Sequence, residues 1–162
     1  MGYVESFYPV IDAKSRVLVL GSMPGVQSIM EQRYYANPHN QFWRIIYSLF
    51  EKPLDSDYDN RIQFVREKGI ALWDVIETCQ RVGSLDSNIE KEVVNDFKSL
   101  FNNYPNLRLL AFNGTKAFGT YRKSVGLELA RVDYKQLPST SPANTLKFEE
   151  KFKQWEVILD YL

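Results

Sequence analysis

Four short runs rich in apolar residues recur along the chain: Arg16–Leu20 (RVLVL), Gly69–Val75 (GIALWDV), Leu107–Phe112 (LRLLAF) and Val132–Leu137 (VDYKQL). Each is strand-length, and the first three are almost continuously apolar, as expected for strands covered on both faces. Between them the apolar positions step by three and four. Phe42, Ile45, Ile46, Leu49 and Phe50 form one such stripe, and Phe148, Phe152, Trp155, Leu159 and Leu162 another. A helix from about Asp57 stops at Gly69, a suitable left-handed terminator. Helices are also predicted over Ile89–Phe101 and from Gly114 to Lys123. These aromatic stripes are core-packing faces. Alternation of strand and helix predicts an α/β chain, a parallel sheet with helices on both faces. No repeat or linker interrupts it, so residues 1–162 read as a single domain.

Two polar segments break this pattern. Gly21-Ser22-Met23-Pro24-Gly25 follows the first strand and continues into Tyr34-Tyr35-Ala36-Asn37-Pro38-His39-Asn40-Gln41-Phe42-Trp43. Leu137-Pro138-Ser139-Thr140-Ser141-Pro142-Ala143-Asn144 follows the last. In a parallel sheet both turns leave the same edge, where such folds bind ligands. A small-residue, polar rim there suits phosphates and a planar base. The first turn is neither a dinucleotide fingerprint nor a nucleophile elbow, and Gly114–Thr120 is not a Walker loop. Asn40 is either a helix cap or an amide aimed at a water. Ser141, with Pro142 after it, reads either as an ordinary helix cap or as a phosphate-binding helix start.

Composition narrows the classes. Lysine plus arginine equal aspartate plus glutamate at 20 each, so net charge is zero. The charge is unevenly spread, however. Residues 13–50 carry Lys14, Arg16, Arg33 and Arg44 against Glu31, and residues 108–151 hold eight bases and four acids. Residues 51–107 hold seven bases and eleven acids. The motif-bearing segments are thus basic, which either steers a polyanion or is plain surface scatter. Cys79 is alone and His39 is the only histidine. No disulfide framework, metal cluster or iron–sulfur site is expected. No run approaches membrane-spanning length, and the first residues make a poor signal peptide. A cytoplasmic protein without cofactor or membrane partner is expected.

Together these segments resemble the uracil-DNA glycosylase superfamily, nearest its hypoxanthine-DNA (deoxyinosine) glycosylase branch. The resemblance also takes in Gly69–Asp74, Gly83–Asn88 and Phe112–Gly114, and runs from about Val17 to Ala143. It implies a three-layer α/β/α sandwich around a four-stranded parallel sheet. It implies hydrolysis of the N-glycosidic bond of a flipped, deaminated base in double- or single-stranded DNA, by a monomer. By that resemblance Asn40 is catalytic. Tyr35 stacks on the base, and Asp74 reads its edge at a place where uracil-specific members use Asn. Gly21, Ser22, Met23, Phe42 and Asn113 complete the base site, and Pro138, Ser139, Thr140, Ser141 and Asn144 bind DNA. Two departures are informative. Met23 stands where an Asp or Asn is usual, and Leu137 where a His or Asn opens the second motif. Neither can position water or donate to a leaving uracil. Two other readings remain open: a mismatch-specific uracil/thymine glycosylase, and a non-catalytic damaged-DNA-binding module.

Overall fold

The four apolar runs form one sheet. In the computed structural model, which describes residues 2–162, they are β2 (Val17–Gly21), β3 (Ile70–Asp74), β6 (Leu109–Asn113) and β7 (Asp133–Leu137). All pairings are parallel and the order is β3-β2-β6-β7. Every residue of β2, β3 and β6 is buried. The pleat explains why. Val17 and Val19 face one core together with Ile70, Leu72, Leu109 and Ala111. Leu18 and Leu20 face a second core with Ala71, Trp73, Leu110 and Phe112.

Helices cover both faces. α2 (Phe42–Leu49), α3 (Tyr58–Glu67) and α6 (Phe148–Trp155) pack on the first core; α4 (Phe97–Asn103) and α5 (Thr115–Ser124) pack on the second. A further helix, α1 (Val26–Glu31), is a short turn after β2. Asp57 caps α3 by accepting from Asp59 N at 2.8 Å, and Gly69 follows its end at φ +77°. Fully burying one large apolar side chain such as Phe42 or Ile45 contributes about 1.5–3 kcal/mol.

A second, antiparallel sheet has no counterpart among the four apolar runs. It comprises β1 (Tyr3–Glu5), β4 (Ile76–Gln80) and β5 (Glu90–Val94), in the order β1-β4-β5. The predicted helix over Ile89–Phe101 is therefore corrected to β5 followed by α4. Phe97, Leu100 and Phe101 are one true helical face, and Val93 matched their spacing by coincidence. Asp96 starts α4 by accepting from Ser99 N at 3.1 Å. A second correction concerns Ser141 and Pro142, which start no helix. Residues 141–144 form turns, and α6 begins only at Phe148. Ser141 N donates to Ser139 Oγ, Ala143 N to Ser141 Oγ, and Leu146 N to Asn144 Oδ1. Side-chain acceptors here take the N–H groups that a helix would use. The last helix also tightens after Trp155 into a 3₁₀ segment, Glu156–Tyr161.

The chain leaves β2 for β3 across the first core's face, and leaves β6 for β7 across the second. The crevice between the carboxyl ends of β2 and β6 is thus a topological switch point.

Candidate active site

Gly21 ends β2 and Asp74 lies beside it in register at the end of β3. A Cβ on Gly21 would lie 2.6 Å from Asp74 Oδ1 and 3.5 Å from Tyr35 Oη. Only a bare backbone lets these two side chains converge over the strand end. Asn113 ends β6 on the other side of β2 and donates to Tyr35 Oη at 3.4 Å. These groups line a cavity of about 720 Å³, together with Asn37, Asn40 and Ser139–Asn144. A space of this size holds a nucleobase.

Tyr35 is held in an uncommon conformation. Its φ is +55°, a left-handed backbone that costs a bulky residue about 1–2 kcal/mol. Its neighbours impose it. Tyr34 N donates to Tyr58 Oη at 2.9 Å, Tyr34 Oη donates to Tyr8 O at 2.8 Å, and Trp43 Nε1 donates to Tyr34 O at 3.0 Å. The Tyr35 ring stacks on Phe42, centroids 3.9 Å apart and 23° between planes. Burial and the nearby Asp74 push its hydroxyl's pKa up, so the ring stays neutral. Phe42 itself is fully buried beneath Tyr35 and does not line the cavity, contrary to its expected contact with the base. Its part is to brace Tyr35.

Asn40 lines the cavity at the start of α2, and its Oδ1 accepts from Phe42 N at 2.9 Å. That bond fixes the amide plane. The second lone pair of Oδ1 and both Nδ2 hydrogens remain outside the bond. Gln41, not Asn40, stands at the N-cap position of α2; Asn40 supports the first helical N–H from one residue earlier, and it belongs to the cavity wall. His39 is exposed and outside the cavity wall.

The two distant motifs meet through Thr140. Its N–H donates to Asn113 Oδ1 at 2.9 Å, its Oγ1 accepts from Asn113 Nδ2 at 2.9 Å, and its carbonyl accepts from Gln41 N at 3.0 Å. Thr140 is fully buried and its polar groups are taken, so it shapes the loop rather than offering a phosphate contact. Pro138 lies outside the cavity wall; its carbonyl accepts from Trp155 Nε1 at 3.0 Å. Ser139, Ser141 and Asn144 do reach the wall. Lys151 supports the loop from below, donating to Asn144 O at 2.9 Å.

Asp74 carries the site's unusual electrostatics. It is 5% exposed, and its Oδ2 has no hydrogen-bond partner. Burial pushes its pKa up to about 7; Asp86 adds to the rise and Arg81 opposes it. Met23 belongs to the cavity wall, but it is buried and packs among Ile76, Cys79 and Ile89. That packing accounts for a thioether at a place where the superfamily usually offers a polar group. Leu137 is part of the first core.

Sequence reasoning assigned no role to Ser84, Leu85, Asp86 or Arg81. Ser22 donates to Asp86 Oδ1 at 2.5 Å, and Val26 N donates to Ser84 Oγ at 2.8 Å. The loop at 83–88 is thereby joined to the Gly21–Gly25 turn and forms the cavity's other wall. Arg81 is buried and donates to Pro24 O. Gly83–Asn88 belongs to the segments that carry the family resemblance, but serines and an aspartate on an exposed loop have no periodic signal, so their contact with the Gly21–Gly25 turn emerges only in the fold.

Comparison with known proteins agrees with this architecture. The family model of the uracil DNA glycosylase superfamily matches residues 8–162. The chain belongs to that superfamily. A hypoxanthine DNA glycosylase of Methanosarcina acetivorans is 38% identical over 158 residues, covering 95% of this chain and 96% of the relative. One of Methanosarcina barkeri is 37% identical over 155 residues, covering 93% and 94%. A solution NMR structure from M. acetivorans, described as a candidate uracil DNA glycosylase, superposes with a TM-score of 0.81. It is 36% identical, with 96% of each chain covered. The enzyme is thus a DNA glycosylase, and DNA is its substrate. No helix among the glycosylase's described residues is long and apolar enough to cross a membrane.

Proposed function

We propose that this glycosylase excises hypoxanthine from deoxyinosine in DNA, hydrolysing the N-glycosidic bond without a lyase step. The observation that carries the reading is the buried, unpartnered Oδ2 of Asp74 beside the Tyr35 ring. Hypoxanthine carries a hydrogen on N1 and adenine carries a lone pair there. An ionised Asp74 accepts from the first and leaves the second unpaired against its own lone pairs, a costly arrangement in a buried site. The relatives named hypoxanthine DNA glycosylase support the same choice.

The extruded base lies on the free face of Tyr35, whose other face rests on Phe42. Ser139, Ser141 and Asn144 contact the DNA backbone. The bond from C1′ to N9 breaks toward an oxocarbenium-like state, with the electron pair leaving on the base. Asn40 orients the water whose oxygen adds to C1′, and the proton that water sheds ends on the departing base, which left with the electron pair. An amide is a weak base, so its contribution is placement. The single domain acts as a monomer in the cytoplasm, on duplex or single-stranded DNA.

The test is a panel of duplexes bearing hypoxanthine, xanthine, uracil or thymine, read as alkali-sensitive strand cleavage. Hypoxanthine is released fastest on this reading. Faster release of uracil or thymine opposite guanine would favour a mismatch-specific enzyme, since Asp74 can also accept from N3–H. Tight binding without release would identify a non-catalytic damage-binding module.

A further inference from the structure

We propose that a basic hollow at the end of the parallel sheet opposite the base-receiving cavity binds the phosphate backbone of a second DNA segment. Lys14, Arg16, Lys68 and Arg108 line this hollow of about 530 Å³. Topology gathers them. Arg16 directly precedes β2, Arg108 directly precedes β6, and Lys68 lies two residues before β3. Parallel strands bring their starts together as surely as their ends. Val17 of β2 is in register with Leu109 of β6, so Arg16 and Arg108 are neighbours one step earlier. Arg108 N donates to Arg16 O at 2.7 Å, and Arg16 N donates to Gly69 O at 2.8 Å. Asn106 Nδ2 donates to Ala13 O at 2.7 Å and ties the loop before β6 to the one before β2.

The charge in this hollow is not neutralised. Among the described residues none of the four bases makes an ion pair. Glu67 is the one acidic side chain on the wall, and its Oε1 accepts from Gln63 Nε2 at 3.0 Å. Asp12, close by in sequence, accepts from Lys14 N at 2.8 Å. Lys68 Nζ stands 4.9 Å from the Phe50 ring, a contact that leaves its charge uncancelled. Lys14, Arg16 and Arg108 are exposed, so an anion can reach their charged ends. Guanidinium forks and an ammonium suit phosphate oxygens. The base-receiving cavity is the reverse: among the described residues its wall carries Asp74 and Asp86 and no lysine or arginine. Lys14, Arg16 and Arg108 belong to the basic, motif-bearing segments of the sequence, yet the fold carries them to the pole away from the motifs. Five residues of strand, about 17 Å, separate the two poles. A duplex seated at the cavity therefore leaves the hollow facing outward, and its ligand is a separate stretch of backbone. Neutralising those phosphates releases counterions. An enzyme holding two segments passes from one to the other without becoming free, because the second capture is intramolecular.

The second site requires only that DNA is the substrate and is independent of which base is excised. The experiment follows the enzyme leaving a short, labelled, undamaged duplex as unlabelled duplex is added in increasing excess. The dissociation rate of wild type should rise about tenfold or more across the range, because the incoming segment is captured before the first is released. With Lys14→Gln, Arg16→Gln and Arg108→Gln combined, the rate should stay within about twofold of constant. Single-turnover release of the preferred base by that variant, at saturating enzyme, should equal wild type. Arg16→Lys with Arg108→Lys preserves the charge and should keep the acceleration. Lys98→Gln, Lys135→Gln and Lys153→Gln combined, at exposed bases outside the hollow, should keep it too. The salt dependence of the acceleration should lessen by about one unit of log–log slope for each base neutralised in the hollow. A wild-type rate independent of added duplex would overturn the second site. So would an acceleration that survives neutralisation of the hollow, one lost equally with the Lys98, Lys135 and Lys153 set, or one produced by an RNA duplex and not by DNA. None of these outcomes touches the hypoxanthine reading, and failure of that reading leaves the second site standing.

Discussion

Asn113 and Thr140 exchange two hydrogen bonds of 2.9 Å, one into Asn113 Oδ1 from the Thr140 amide and one from Asn113 Nδ2 to Thr140 Oγ1. This pair joins the end of β6 to the second motif, and Asn113 continues on to Tyr35 Oη. Asn113→Ala leaves a fully buried amide N–H without its acceptor. The expected loss is about 1–3 kcal/mol of stability, measurable as a lower urea midpoint with an unchanged slope. Excision should fall as well, because loop and stacking ring lose their common anchor. Asn113→Asp keeps the acceptor for Thr140 N and should recover part of the stability.

Asp74 makes both stability and selectivity depend on pH. Its folded pKa of about 7 lies above the ordinary 3.8 because burial opposes the charge. The folded state therefore holds the proton more tightly than the unfolded chain. Its contribution to stability is complete below the unfolded value, declines as pH rises through about 7, and then stays level. Asp74→Asn should gain on wild type by on the order of a few kcal/mol between about pH 5 and pH 8, read from urea unfolding at both. Selectivity moves the other way. The ionised form rejects adenine, whereas the protonated form can donate to adenine N1. The ratio of hypoxanthine to adenine release should thus rise with pH in the wild type and flatten in Asp74→Asn.

Much of this site was legible because short-range chemistry and long-range position agree along β2, β3 and β6. Nearly continuous apolar runs at Arg16–Leu20, Gly69–Val75 and Leu107–Phe112 predict buried parallel strands, and parallel strands bring their carboxyl ends together. The Asp57 cap and the Gly69 stop were equally local. The failures occurred where local chemistry has two solutions. Ser141-Pro142 looks like a helix start, but Ser139, Ser141 and Asn144 satisfy the backbone as turns instead. Glu90–Val94 shares a helical spacing with α4, and only pairing with Ile76–Gln80 decides in favour of a strand. The bond from Ser22 to Asp86 spans 64 residues and leaves no mark in either segment alone.

Asn40 combines two jobs that substitution can separate. Asn40→Ala removes the acceptor for Phe42 N and should cost about 0.5–2 kcal/mol. It should also slow single-turnover release by about a hundredfold or more, with DNA affinity retained. Asn40→Ser keeps a side-chain oxygen but lacks the reach and the amide donors. It should regain stability and remain slow. Recovery of activity along with stability would show that Asn40 matters only as support for the helix start.

Gly21 tests how closely Asp74 and Tyr35 must meet. The β-carbon of Gly21→Ala would sit 2.6 Å from Asp74 Oδ1, inside any tolerable contact, and 3.5 Å from Tyr35 Oη, which is ordinary packing. The carboxylate must therefore move while the ring stays in place. Stacking of the base and binding of DNA should persist, because neither uses the displaced atom. Hydrogen bonding to N1–H should weaken, lowering hypoxanthine release by about tenfold or more and narrowing the margin over adenine. Uniform loss of DNA binding in Gly21→Ala would mean that the whole Gly21–Gly25 turn had shifted. Unchanged selectivity would mean that Asp74 does not read the base.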